Sequence, residues 1–395
     1  MKLYDGEELS IGKNKVEVNL EISFEEITKK YHKGQVRIVT EQARYPLNTI
    51  VGMINDGNYK LNPTFQRRHR WEPERKSKLI ESFIINVPIP PIFLYETTYS
   101  KYEVMDGLQR ITAIYEFYTD KFELTGLREW PELNGYKYSQ LPEVIRQGID
   151  RRYLSSIILL QETAKNESEA RNMKQLVFER LNSGGVDLSD QEIRNALYDG
   201  NLNQMCIELS GNTKFRKLFN IPIDVDEKNE KTDNALYDKM DDVELVLRFF
   251  AFRQIEKWTG GYIKKFLDEY LTLGNDFSEE VLRKLKRAFN ETIDIIYDIM
   301  GVSAFKLWKI TRNSDELKQV KTPTKVLYDP FMLAFCQYID RKDELVKQKA
   351  EISQNIKLLF KMEPELFVSR FNKNDITKRR DAVIDAIDKA IGETK

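Results

Sequence analysis

Hydrophobic periodicity changes character partway along the 395-residue chain. Before about residue 160, residues 92–95, 102–105 and 155–160 read as short buried strands. Before and between them lie helical stripes: Leu79, Ile80, Phe83 and Ile84 form one face of a helix that Pro73 opens, and Ile111, Ile114, Tyr115 and Tyr118 one face of another. After residue 200 strand signals largely vanish, and helical patterns continue at about 201–219, 240–256, 261–273, 278–300, 330–361 and 375–391. Such a change predicts an α+β chain: an N-terminal extension over 1–39, an α/β domain over 40–200 and a mostly α-helical domain over 201–395.

Local signals refine this outline. Val16, Val18 and Leu20 alternate with polar residues, and Ser23 with Glu26 suits a helix start. Pro46-Leu47-Asn48 opens a helix to about Asp56, where Gly57-Asn58 ends it. Residues 87–91, with three prolines, are an extended loop. Asn166 with Glu169 caps a helix that Asn182-Ser183-Gly184-Gly185 stops. Ser189 with Glu192 forms a second capping box, opening a helix to about Tyr198. Residues 224–233, charged and poor in apolar side chains, read as a surface loop.

Composition narrows the chemistry. Acidic and basic residues nearly cancel, to a formal charge of −1, so any basic surface is local. Cys206 and Cys336 stand far apart and match no metal spacing, as in a reducing compartment. The first residues lack the apolar stretch of a signal peptide, and no apolar run approaches the roughly 20 residues that span a bilayer. A cytoplasmic protein without a membrane partner is expected. His32 and His69 are the only histidines, which leaves no place for a His-Asn-His nuclease domain in the last two thirds of the chain.

Three constellations can carry chemistry. Met105-Asp106-Gly107-Leu108-Gln109-Arg110 stands between a strand and a helix. A glycine there permits a tight turn and close backbone approach, and the helix start offers unpaired N–H groups to an anion. Arg110 can fork onto phosphate oxygens, Gln109 can orient a water or a phosphate, and Asp106 can hold a phosphate-bridging magnesium ion. The plainer alternative makes Asp106 an N-cap, Gly107 a turn residue and Arg110 a surface charge. No Walker A pattern is present.

The second constellation is Phe65-Gln66-Arg67-Arg68-His69-Arg70-Trp71, inside a stretch (60–78) that is rich in Lys and Arg. It suits nucleotide phosphates or a DNA backbone, or is simply a solvated charge run with Trp71 in the core. The third runs from Glu179 to Gly185 and on through Ser189 to Asn195. It is a polar helix-loop-helix, in which Arg180, Asn182, Glu192 and Arg194 either face a ligand or serve a plain connection. The aromatics of the C-terminal half read as core.

Together these segments resemble the N-terminal domain of GmrSD/SspE-type modification-dependent restriction enzymes, a domain similar in fold to ParB and sulfiredoxin. The resemblance is carried by Asn62-Pro63-Thr64-Phe65-Gln66-Arg67, Trp71, Leu79-Ile80-Glu81-Ser82 and Pro88-Ile89-Pro90-Pro91-Ile92. It continues through Asp106-Gly107-Leu108-Gln109-Arg110-Ile111-Thr112-Ala113 and Phe178-Glu179-Arg180-Leu181-Asn182-Ser183-Gly184-Gly185. Residues 241–250 look like the helical continuation seen in many members. In that family an Asp-Gly-Gln-Gln-Arg motif binds and hydrolyses nucleoside triphosphates and gates a nuclease or senses modified DNA.

The resemblance thus implies a site with Asp106, Gln109 and Arg110 as catalytic residues. Gln66, Arg67, Arg70, Gly107, Arg180 and Asn182 would hold the nucleotide, and Asp106 would hold Mg²⁺. Two departures stand out. Leu108 replaces the second polar residue of the motif, which bears on hydrolysis more than on binding, and the His-Asn-His domain is missing.

The expected function is a triphosphate-binding and hydrolysing sensor or switch in defence against foreign DNA; either a separate nuclease subunit supplies cleavage, or the helical C-terminal domain is a sensor or effector of another type. The alternatives are a non-hydrolysing nucleotide- or DNA-binding subunit and, third, a DNA-nicking enzyme.

Overall fold

The structure is a computed structural model that describes residues 3–11, 23–33, 40–61, 71–160, 167–182, 189–223, 234–311, 314–368 and 372–392. The chain divides into two compact units, one formed by residues 17–188 with 227–231, the other by 1–16, 189–226 and 232–395.

The first unit is built on a five-stranded mixed sheet. Its elements are α1 (Phe24–Lys33), β1 (Thr40–Pro46), α2 (Leu47–Asn55), β2 (Tyr59–Lys60), α3 (Pro73–Ile84), β3 (Ile92–Thr98), β4 (Lys101–Asp106), α4 (Leu108–Tyr118), α5 (Glu143–Asp150), β5 (Tyr153–Leu159) and α6 (Glu167–Asn182). The strand order is β1-β5-β3-β4-β2, with β1/β5 and β3/β4 antiparallel and β5/β3 and β4/β2 parallel. Ile92 and Leu94 alternate into the core and meet Ile80, Phe83, Ile111, Ile114 and Phe117.

The stripe of α4 is rotated from the expected one. Phe117 is buried, while Tyr115 and Tyr118 are only half-buried. The Tyr118 hydroxyl instead donates to Asp150, as does that of Tyr138, each at 2.9 Å. Edge strand β1, too polar to stand out in the sequence, forms along β5. The alternating segment 16–20 and the Asn166 cap lie outside the described residues.

Among the described residues the second unit is helical except for one hairpin. It comprises α7 (Asp190–Leu197), α8 (Asn201–Leu209), α9 (Thr213–Leu218), α10 (Ala235–Asp238), α11 (Asp241–Phe252), α12 (Ile263–Gly274), α13 (Glu279–Met300), β6 (Lys306–Thr311), β7 (Ser314–Pro323), α14 (Lys325–Phe335), α15 (Lys342–Lys347), α16 (Lys349–Met362) and α17 (Lys373–Ala390). Every residue of α11 from Asp242 onward is buried, so this helix is the axis of the unit. The capping box expected before α7 is present: Ser189 Oγ accepts from the Glu192 amide, and the Glu192 carboxylate accepts from the Ser189 amide at 2.7 Å. The β6–β7 hairpin stands where the sequence suggested no strand.

A buried ion network joins four helices. The Arg194 guanidinium of α7 donates to Glu244 of α11 at 2.9 Å and to Asp268 of α12 at 2.7 Å. Glu244 also receives Lys325 of α14 at 3.1 Å, and Arg248 pairs with Asp329. Burial pushes the Glu244 carboxyl up, but Lys325, Arg194 and Arg248 outweigh that and hold it down at about 2. For Asp268 burial wins, and its carboxyl is raised despite Arg194.

Residues 3–11 lie on this unit. Glu7 is fully buried and accepts from Arg253 Nε and Nη2 at 2.6 and 2.8 Å. The Gln254 amide donates to the Glu7 carbonyl at 2.7 Å, and the Leu9 amide donates back to Gln254 at 3.0 Å. Among the described residues, no helix is long and apolar enough to cross a membrane.

Candidate functional site

The polar turn between β4 and α4 is built from both sides. Gly107 occupies it in the left-handed region, at φ +95°, and acts as the N-cap of α4. A Cβ at this position would lie 2.4 Å from Ile92 Cγ2 and 3.1 Å from Arg110 Nη2. Only glycine therefore fits, both for backbone conformation and for space. No side chain caps the helix, so Asp106 is not the N-cap that the plainer reading made it. The amides of the first turn have no intrahelical acceptor, and the positive end of the helix dipole is at this turn.

Asp106 and Arg110 are paired across one helical turn, Arg110 Nη2 donating to Asp106 Oδ2 at 2.5 Å. Arg110 Nη1 donates to the Pro90 carbonyl and, at 3.3 Å, to that of Pro91. The guanidinium side chain is only 13% exposed, against 47% for the Asp106 side chain. Arg110 thus ties the loop before β3 to the turn after β4. Nothing in the sequence pointed to proline carbonyls as its partners.

Gln109 reaches the other way. Its Oε1 accepts from the Trp71 amide at 3.1 Å. With that oxygen engaged, the group Gln109 offers a ligand is its NH₂, a donor suited to a phosphate oxygen. Trp71 packs on the core of the unit with Arg75 over its ring at 4.7 Å. The parallel register of β2 on β4, Lys60 opposite Glu103, directs Leu61 toward the Asp106 end of the sheet. Trp71, the residue after 62–70, is therefore held at the motif turn. Gln66, Arg67 and Arg70 themselves lie outside the described residues.

Other basic residues of this segment divide. Lys76 is buried and bound to Glu116 at 2.7 Å, so it serves the core rather than a ligand. Arg75 and Lys78 are exposed. Arg180 lies exposed on α6. That helix meets β4 through Lys174 and Glu103, which pair at 2.6 Å beside the Tyr95 ring. The backbone of Asn182 ends α6, and its side chain lies outside the described residues. Arg194 and Glu192, considered above as ligand contacts, are buried in the ion network and the capping box.

Glu81, part of the resemblance but given no role in it, has a clear one here. Its Oε1 accepts from three successive amides, those of Arg128, Glu129 and Trp130, at 2.9, 2.8 and 3.1 Å. It fixes the segment after α4 onto α3.

Among the described residues, no group of three or more His, Cys, Asp and Glu side chains could hold a metal ion. The donor set at the turn is one half-exposed carboxylate. Mg²⁺ takes one or two carboxylates and keeps phosphate oxygens and waters as its remaining ligands, and of this carboxylate Oδ2 is already engaged by Arg110. The donor set does not suit a metal held by protein alone.

No curated protein and no solved structure matches the chain. A family model does: residues 47–198 match the one described as the GmrSD restriction endonuclease, N-terminal domain. The matched stretch runs from α2 through the end of α7 and contains Asp106, Gly107, Gln109 and Arg110. Residues 47–198, which hold the glycine turn and the arginine tether, are thus similar to the N-terminal domain of the GmrSD restriction endonuclease.

Proposed function

We propose that the chain binds and hydrolyses a nucleoside triphosphate as the sensor or switch of a restriction-like defence against foreign DNA, with cleavage supplied by a separate nuclease subunit. The observation that carries the reading is the Gly107 turn, clamped by Arg110 to the Pro90 and Pro91 carbonyls and by Gln109 to Trp71. One turn thereby gathers a helix N-terminus, a carboxylate, an arginine and the end of a basic segment.

In this reading the first-turn amides of α4 receive the polyphosphate, and Gly107 lets the chain approach it closely. Gln109 donates from its NH₂, and Gln66, Arg67, Arg70, Arg180 and Asn182 add contacts. Asp106 is the residue that would hold Mg²⁺, which when bound neutralises phosphate charge. Arg110 reaches a phosphate by exchanging a carbonyl partner, so nucleotide binding and release of the proline loop are coupled. That exchange is the switch.

A second reading has support in the same geometry. Leu108 stands where the family motif has a glutamine, and the Arg110 guanidinium is already engaged. Both favour a subunit that binds without turnover. The third reading, a DNA-nicking activity of this unit, draws least support from a turn with a single carboxylate.

The test is phosphate release by purified protein with each of the four triphosphates, Mg²⁺ and DNA, against Arg110→Ala. Turnover that falls by roughly 10²- to 10³-fold in the variant supports the switch. Equal inertness of both proteins, with calorimetric binding of a non-hydrolysable triphosphate only to the wild type, selects the second reading. Absence of binding removes both.

A further inference from the structure

The β6–β7 hairpin concentrates positive charge. Between residues 306 and 323 the sequence carries five basic residues, Lys306, Lys309, Arg312, Lys318 and Lys321, against Asp315 and Glu316, in a chain whose formal charge is −1. Lys309 and Lys318 stand directly opposite each other in the antiparallel register, and both are exposed. Like charges so placed oppose pairing of the strands, and a two-stranded ribbon has little stability to spare.

Elsewhere in the same unit surface lysines are answered: Lys214 by Asp294, Lys264 by Asp190, Lys286 by Glu208 and Lys373 by Glu256. Lys306, Lys309, Lys318 and Lys321 form no ion pair among the described residues.

The ribbon's base is firmly seated. Leu307, Trp308 and Leu317 pack on the core of the helical unit. The Lys357 ammonium lies 4.5 Å from the centre of the Trp308 ring, and the Gln319 amide donates to the Ser303 and Lys306 carbonyls at 2.9 and 3.2 Å. The face opposite this anchor bears the Lys309–Lys318 pair.

We propose that this ribbon is a docking surface for duplex DNA, its lysines binding the phosphate backbone as the ribbon lies against the major groove. The inference rests on the reading of the chain as a component acting on DNA, and adds the surface. The polyanion is duplex rather than single-stranded because single strands are held by exposed aromatic platforms, and the ribbon's aromatic, Trp308, is turned to the core under Lys357. B-form DNA suits it better than double-stranded RNA, because a two-stranded ribbon enters the wide B-form major groove but not the deep, narrow one of A-form RNA.

The experiment is fluorescence anisotropy of a labelled 30-base-pair duplex over a series of salt concentrations, with the full chain and the double variant Lys309→Gln/Lys318→Gln. Each phosphate contact contributes about 0.9 to the slope of log affinity against log salt, so the variant's slope is expected to fall by about 2. Its affinity at low salt is expected to drop at least ~10-fold. Its melting temperature should hold or rise, since a repulsive pair has gone; a purely structural role would lower it.

The proposal is overturned by a wild type that binds no duplex, by an unchanged slope in the variant, or by tighter binding of a single strand or of RNA duplex. Triphosphate binding, measured in parallel, is expected to survive the lysine substitutions and to be lost in Arg110→Ala. Failure of the nucleotide arm alone counts against the triphosphate site and not against the ribbon.

Discussion

Gly107 shows how a single atom can define a site. A methyl group there would meet Ile92 at 2.4 Å in a backbone conformation that L-residues seldom adopt. Gly107→Ala is therefore expected to cost about 2–4 kcal/mol, from the strained φ and the displaced Ile92 together. A thermal melt followed by circular dichroism checks this; an unshifted midpoint would show the turn to be more tolerant than its geometry implies. At this scale much was legible. Asp106, Gly107, Gln109 and Arg110 stood out as one motif because strand, glycine and helix follow each other within a few residues. The destinations of their side chains were not legible. The carbonyls that hold Arg110 lie 20 and 19 positions earlier, and the amide that Gln109 accepts from lies 38 positions earlier. Arg194, by contrast, invited a functional reading that its burial against Glu244 and Asp268 removes.

Helices α7, α11, α12 and α14 meet through the charges around Glu244, and their pH response follows from that. A carboxyl depressed to about 2 stabilises the fold above its unfolded value near 4.5, and this contribution fades as pH falls from there through about 2. Its size is on the order of 3 kcal/mol. Asp268 works in the opposite sense, because protonation relieves its burial. Glu244→Gln is expected to be less stable than wild type at pH 7 and to show a shallower acid limb between about pH 4.5 and 2. Urea titrations at several pH values test this, and parallel curves would assign the stabilisation elsewhere. Long periodic helices such as α13 were easy to read. The β6–β7 hairpin was missed, since its alternation of lysine with Leu307, Trp308, Ile310, Leu317 and Val320 is brief and lies between strongly helical stretches.

For the whole molecule, two cores predict two unfolding events. Residues 3–11 belong with the helical unit, although the α/β unit follows them in the chain. Glu7→Ala leaves Arg253 buried without its carboxylate, a loss of about 3–5 kcal/mol. Calorimetry should show two transitions, with Glu7→Ala lowering one and Gly107→Ala the other. A single transition moved by both variants would mean one cooperative block. The change of periodicity revealed that two architectures are present. It was silent on residues 3–11, because a contact spanning 246 positions leaves no local pattern.

The grip of Arg253 on Glu7 also dictates an order of events during synthesis. Residues 17–188 can leave the ribosome and fold as soon as their last helix clears the exit tunnel. The opening residues must meanwhile wait, because Arg253, which holds Glu7, is translated much later. Newly made chains should therefore pass through a stage in which one half is finished and the other still lacks its keystone, and that stage is where chaperones would have most to do.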